Sequence, residues 1–191
     1  IAVKKTLKDC LRVHLWSIFL LTSVLLLIIL PLFQKGTFID GMLYKTVSFN
    51  YSIGESGFWN MKYTNTCLSS FCEQPPVYFS LLGNFYKVFG SHYLSDRFFT
   101  LILFAFLVVL IYAVIKLLKV KKLHSFLLTV FFLVAIPVFC WSYVNQVIEP
   151  LVNCLIALTI LLFLKFISNK KKIYVLWYSL CIFLLFLSKG F

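Results

Sequence analysis

The sequence predicts an all-α, polytopic integral membrane protein with about five transmembrane helices and one or two interfacial helices in a long first outer loop. Three observations carry this. The 191 residues are 62% hydrophobic and 19% aromatic but only 13% charged, too apolar for a water-soluble domain. The longest apolar runs are of bilayer length. The basic residues gather at the ends of those runs.

Residues 1–14 hold Lys4, Lys5, Lys8 and Arg12 and read as a cytoplasmic N-terminus. Residues 15–33 form the first span: 19 residues without Asp, Glu, Lys or Arg, against the ~20 needed to cross ~30 Å of hydrocarbon. This run has the basic flank of a signal peptide. It is too long for one and lacks a small-residue cleavage site, so it reads as a retained anchor. Residues 34–96 are the outer loop. Further uncharged runs at 98–115 and 125–148 have 18 and 24 residues, and those at 150–164 and 173–188 have 15 and 16. They place spans at about 97–118, 123–144, 150–168 and 173–189, the third of these extended by a snorkelling Lys165. The chain opens on Ile1 and closes on Phe191 just after an apolar run, which reads as a fragment of a longer protein.

Sidedness follows from charge. With the N-terminus inside, twelve basic residues and one acid (Asp9) lie on the cytoplasmic side. Six basic residues and five acids (Asp40, Glu55, Glu73, Asp96 and Glu149) lie outside. This is the excess the positive-inside rule predicts. The same count decides the status of residues 76–89. If they crossed the bilayer, every later loop would flip and the lysine clusters would face out, so they read as a helix lying along the interface. The net charge of +12 does not imply nucleic acid, because the lysines flank apolar runs instead of forming a basic face. They fit contact with anionic membrane lipid.

Within the loop, Leu43, Val47 and Tyr51, with Tyr44 beside them, have helical spacing and predict a helix at about 40–54. Asp40 reads as its N-cap, and Gly54 or Gly57 as its stop. Residues 57–71 read as irregular and polar. Glu73-Gln74-Pro75-Pro76 then opens the second helix, with proline suited to a first turn.

The chemistry-bearing candidates lie on this face. Asp40 reads as a cap and also as a general base at the membrane surface; the two roles are compatible. Arg97 reads as a phosphate ligand, as an interfacial anchor or as a partner of Asp96. Lys189 reads as a phosphate contact or an end-of-span lysine. Glu149, in Asn145-Gln146-Val147-Ile148-Glu149-Pro150, reads as a site acid or as a charge favoured by the start of the fourth span, and Glu73 has the same two readings. His14, His92 and His124 are scattered and support no closed metal site. A divalent ion held by outer carboxylates is the one metal option left open. Cys67 and Cys72 share the outer loop, where a disulfide is permitted. Cys140, Cys154 and Cys181 read as small apolar residues in spans, and Cys10 as cytoplasmic.

The words Asp40-Gly41-Met42-Leu43-Tyr44, Gly57-Phe58-Trp59, Glu73-Gln74-Pro75-Pro76, Phe89-Gly90, Arg97, Trp141-Ser142-Tyr143-Val144-Asn145, Glu149 and Leu187-Ser188-Lys189-Gly190 occur in one order along the chain. In that order the sequence resembles the GT-C glycosyltransferases. It is most similar to glycosyltransferase family 39 and its bacterial relatives, the protein O-mannosyltransferases and lipid A aminoarabinose transferases. The resemblance implies transfer of a sugar from a polyprenyl-phosphate donor to a lipid, glycan or protein acceptor. The reaction would take place on the outer, periplasmic face of a bacterial inner membrane. It implies a catalytic Asp40 with Glu73 in the active-site region, and lipid-phosphate contacts from Lys189 and Arg97. Tyr44, Asn145 and Glu149 join the substrate-binding residues. The chain departs from the family at Gly41, where many members have Glu, and at Gln74, where many have Lys or His. The fragment alone is expected to be inactive. Two other classes compete: a flippase or transporter for a lipid-linked substrate, and a noncatalytic membrane scaffold subunit.

Overall fold

The computed structural model describes residues 15–27, 29, 33, 36–66, 69–118 and 123–190. Among them every regular element is an α-helix. In chain order these are α1 (Leu15–Leu27), α2 (Ile39–Ser52), α3 (Val77–Phe89), α4 (Tyr93–Leu117), α5 (Leu123–Ala135), α6 (Pro137–Val144), α7 (Glu149–Asn169) and α8 (Ile173–Lys189).

Two of them, α4 and α7, are long and apolar enough to cross a membrane, and a third span arises if the bent α5–α6 pair counts as one. That is fewer than the five expected. Helix α8 has 17 residues, about 26 Å at ~1.5 Å per residue, and α1 is described as helix only over Leu15–Leu27. The expected continuous span at 123–144 is broken instead, with a 74° bend between Ser125–Ala135 and Pro137–Val144. Pro137 causes the break. It has no N–H to donate, and its ring drives the preceding residue out of the helical region. Ile136 accordingly sits at φ −77°, ψ 116°. Its carbonyl then accepts from the N–H groups of Phe139 and Cys140, restarting the helix.

The exterior is what a lipid solvent permits. Phe106, Val109, Ile160, Phe163, Trp177 and Phe183 all stand largely exposed on α4, α7 and α8. Among the described residues the interior divides into three clusters. Leu107, Leu110, Tyr143, Cys154 and Leu161 join α4, α6 and α7. Val24, Val130 and Val134 tie α1 to α5. The third cluster is built by the loop helices. Val47, Tyr78, Phe79 and Leu82 pack with Phe99, Ile148 and Leu151 at the first turns of α4 and α7.

Helices α2 and α3 cross closely because Gly83 has no side chain; a Cβ there would lie 2.6 Å from the Ser48 carbonyl oxygen. Gly54, at φ +83°, ends the turn after α2 in a conformation that only glycine adopts without strain. The segment between α2 and α3 is irregular but anchored. Asn50 Nδ2 donates to the Lys62 and Tyr63 carbonyls at 3.0 and 2.8 Å. Phe71 N–H donates to the Met61 carbonyl at 2.7 Å, and both side chains are buried. Cys72 is a free thiol beside the Ser70 hydroxyl. Cys67, the proposed partner, lies outside the described residues, as do Cys10, His14 and the lysines and arginine of residues 1–14.

Candidate functional site

The site forms at the end of the bundle where α2 and α3 meet the first turns of α4 and α7 and the last turn of α8. Tyr44 is its centre. Its ring packs edge-on against Tyr78 and Phe79, at centroid distances of 6.2 and 5.4 Å. Burial pushes its phenol up to about 12, and the negative charges of Asp40, Glu149 and Glu73 push in the same direction. Carboxylates from three separate segments thus act electrostatically on one hydroxyl. Tyr44 stays an uncharged donor throughout the physiological range, so base chemistry at this point falls to the carboxylates.

Asp40 lies in the first turn of α2 and is not its cap. Phe38 occupies the cap position, without a side-chain cap bond. The physical reason lies across the fold. Asn145 Oδ1, just after α6, accepts the Phe38 N–H at 2.8 Å, satisfying from a distant segment one of the N–H groups left without a partner at the start of α2. This leaves the exposed Asp40 carboxylate with no hydrogen bond or ion pair to a described residue. Asn145 Nδ2 donates to the Trp141 carbonyl at 2.9 Å, so both ends of this amide hold backbone. Asn145 therefore positions the helix that carries Asp40.

Gly41 completes the seat. A Cβ at Gly41 would clash with the Asn145 carbonyl oxygen. Position 41 has a steric reason to be glycine: α2 lies directly on the Asn145 backbone. Gly41→Ala is expected to shift α2 or to cost roughly 1–3 kcal/mol, as overpacking does. A lowered thermal transition in detergent, against an unchanged one for the exposed-site control Met42→Ala, checks this.

Glu149 opens α7, and the Lys189 ammonium at the end of α8 pairs with its Oε1 at 2.6 Å. The pair is open to solvent, with side chains 38% and 48% exposed. The end of α8 also approaches the segment after Glu73, since Gly190 faces the Pro75 ring. Asp40, Tyr44, Glu73, Glu149 and Lys189 are therefore brought together, from positions up to 149 residues apart in sequence. The charges of the three carboxylates all act on Tyr44, and Lys189 pairs with Glu149. Among the described residues, no three His, Cys, Asp or Glu side chains are grouped to hold a metal ion.

Arg97 is placed differently. It is 4% exposed, and its guanidinium donates to the Val144 carbonyl and, at 2.8 Å, to the Gly36 carbonyl. It also stacks on Tyr93 at 5.0 Å. It acts as a strut joining α4, the end of α6 and the approach to α2. It also forms one wall of an apolar cavity of about 420 Å³ with Ile29, Phe33, Leu94, Phe98 and Leu101.

The expected Asp96–Arg97 partnership is replaced by another. Asp96 is 5% exposed; its Oδ2 takes Lys45 Nζ at 2.5 Å and its Oδ1 accepts the Tyr86 hydroxyl. Burial and the Asp96 charge raise the Tyr86 phenol well above its ordinary value. This cluster lines a second cleft of about 360 Å³ with His92 and Tyr93. Gln146 also escapes sequence reasoning. Fully buried at φ 58°, it donates to the Asp96 carbonyl at 2.6 Å and accepts the Tyr78 hydroxyl on its own carbonyl at 3.0 Å. No periodicity links these residues, so no local pattern in the sequence points to them.

Comparison of the chain with protein-family models, with curated proteins and with solved structures finds no match.

Proposed function

We propose that the chain carries the site of a multi-pass membrane glycosyltransferase that moves a sugar from a polyprenyl phosphate to a lipid, glycan or protein acceptor. The observation that carries this reading is that Asp40, Glu73 and Glu149 all lie near enough to Tyr44 for their charges to raise its phenol, with Lys189 paired to Glu149, at one end of an apolar bundle. A donor with an apolar tail and a charged sugar phosphate belongs at such a boundary.

In this reading Asp40 accepts the proton of an acceptor hydroxyl while that oxygen bonds to the anomeric carbon. The bond from that carbon to the phosphate oxygen breaks, and the phosphate leaves with the electron pair. One such displacement inverts the anomeric centre. The Tyr44 hydroxyl orients a substrate oxygen, and Lys189 turns from Glu149 to the leaving phosphate and stabilises its charge. The apolar cavity beside Arg97 suits the first prenyl units of the donor. Arg97, held by backbone carbonyls, shapes that cavity and is not assigned the phosphate. Five spans, with residues 34–96 in the periplasm of a bacterial inner membrane, complete the proposal.

A transfer assay on the intact protein in liposomes, with defined polyprenyl-phosphate sugars, tests it. Glycosylated acceptor and released polyprenyl phosphate are the expected products. Absence of both across the donor series sinks the reading.

One observation favours a second reading. The α5–α6 break is a discontinuous span, a device that transporters use to bind substrate. Net movement of polyprenyl phosphate across sealed vesicles, without sugar transfer, would favour it.

A further inference from the structure

We propose that the turn between α7 and α8 is a binding site for one anionic phospholipid, its headgroup phosphate on Lys170, Lys171 and Lys172 and an acyl chain in the crevice beside them. The inference does not depend on the transferase reading.

The crevice lies between the last turns of α7 and the first turns of α8. It has a volume of about 180 Å³ and is lined by Phe163, Phe166, Tyr174, Val175 and Tyr178. The Phe163 and Tyr178 rings face each other at 6.1 Å. Tyr174 presents its hydroxyl toward Asn169, 3.5 Å away, at the turn. This is an apolar slot with a polar lip, and it suits a chain whose polar end stays at the interface.

The lip is strongly basic. Lys170, Lys171 and Lys172 are exposed, and Lys165 lies one turn below on α7. Residues 150–190 contain no Asp or Glu, and these four lysines make no ion pair with a described residue. Lys170 adopts a left-handed conformation (φ 54°) that reverses the chain, and its Nζ lies 5.9 Å from the Phe166 ring. Three adjacent lysines therefore sit on the turn beside the slot, the Lys170 ammonium over its Phe166 wall, without a counter-charge from the described residues. Such a cluster attracts anionic headgroups when it lies against the bilayer surface. Tyr174, Trp177 and Tyr178 supply the aromatic ring typical of that depth.

The test is lipid retention. The purified chain, equilibrated in nanodiscs with a minority of phosphatidylglycerol in phosphatidylcholine, is extracted gently and its co-purifying lipid measured by mass spectrometry. The expected result is phosphatidylglycerol enriched roughly fivefold over its bulk fraction, equivalent to about 1 kcal/mol. The triple variant Lys170→Gln, Lys171→Gln, Lys172→Gln returns to the bulk ratio. Val175→Trp, which fills the slot, loses the enrichment with its lysines intact. The double variant Lys62→Gln, Lys87→Gln, which removes charge elsewhere, keeps it. No enrichment in the wild-type chain, or enrichment surviving in the triple variant or in Val175→Trp, overturns the proposal. So does equal loss in the double variant, which would reveal a bulk charge effect.

Discussion

Asp40→Asn is expected to lower sugar transfer by the intact protein at least about a hundredfold, the lower end of what a positioned general base contributes, and to leave its melting temperature unchanged. The two halves of this expectation rest on different facts. The carboxylate is exposed, and α2 is held at its start by Asn145 and at Gly41, so removing the charge disturbs no packing. The loss of activity follows from Tyr44, whose phenol keeps its proton up to about 12 and cannot take over as base. Glu149 already holds Lys189. Steady-state transfer and a thermal melt on one preparation separate the outcomes. Near-normal transfer removes Asp40 from the mechanism, whereas a collapsed melt assigns it to structure.

Asp96→Ala is expected to produce the largest loss of stability among the ionisable residues. It strips the half-buried Lys45 ammonium of its partner and leaves the Tyr86 hydroxyl buried without an acceptor. Removing one partner of a buried pair costs about 3–5 kcal/mol. Lys45 retains 23% exposure, so the lower end applies. Lys189→Ala breaks an ion pair of similar length, but one open to solvent, where the worth is about 0–1 kcal/mol. Thermal melts in one detergent should show a shift of several degrees for Asp96→Ala and little or none for Lys189→Ala. Asp96→Asn, which keeps an acceptor for Tyr86, should fall between them. Equal small shifts for both alanine variants would mean that the Asp96 cluster does not hold α2, α3 and α4 together.

The legible parts of the fold were those written locally. Leu43, Val47 and Tyr51 announce α2 by spacing, Gly54 ends it, and Pro75-Pro76 opens α3. The α5–α6 break was also legible in principle. Pro137 stands in the middle of an apolar run, and hydropathy outweighed it because composition alone does not register a missing N–H. The site was legible as a set of residue types but not as a set of roles. Glu149 and Lys189 are paired by the packing of α7 against α8, and Asp40, Glu73 and Glu149 come within electrostatic range of Tyr44 by packing that no window of sequence contains. Asn145 and Arg97 look like ligand residues in sequence because both are polar at the edge of an apolar run. In the structure their hydrogen bonds go to backbone 107, 47 and 61 residues away. Lys45, Tyr86 and Asp96 carry no shared pattern, and only the crossing of α2, α3 and α4 unites them.

The enzymatic proposal requires the acidic end of the bundle to lie outside the cell and the Lys170–Lys172 turn to lie within it. Single cysteines introduced as Glu55→Cys or Lys171→Cys, both at exposed positions, into a cysteine-free background report this directly. In intact cells a membrane-impermeant maleimide should label the residue-55 cysteine at once, and the residue-171 cysteine only after permeabilisation. Labelling of position 171 from outside, or protection of position 55, would put Asp40 and Tyr44 on the wrong face for a periplasmic transferase.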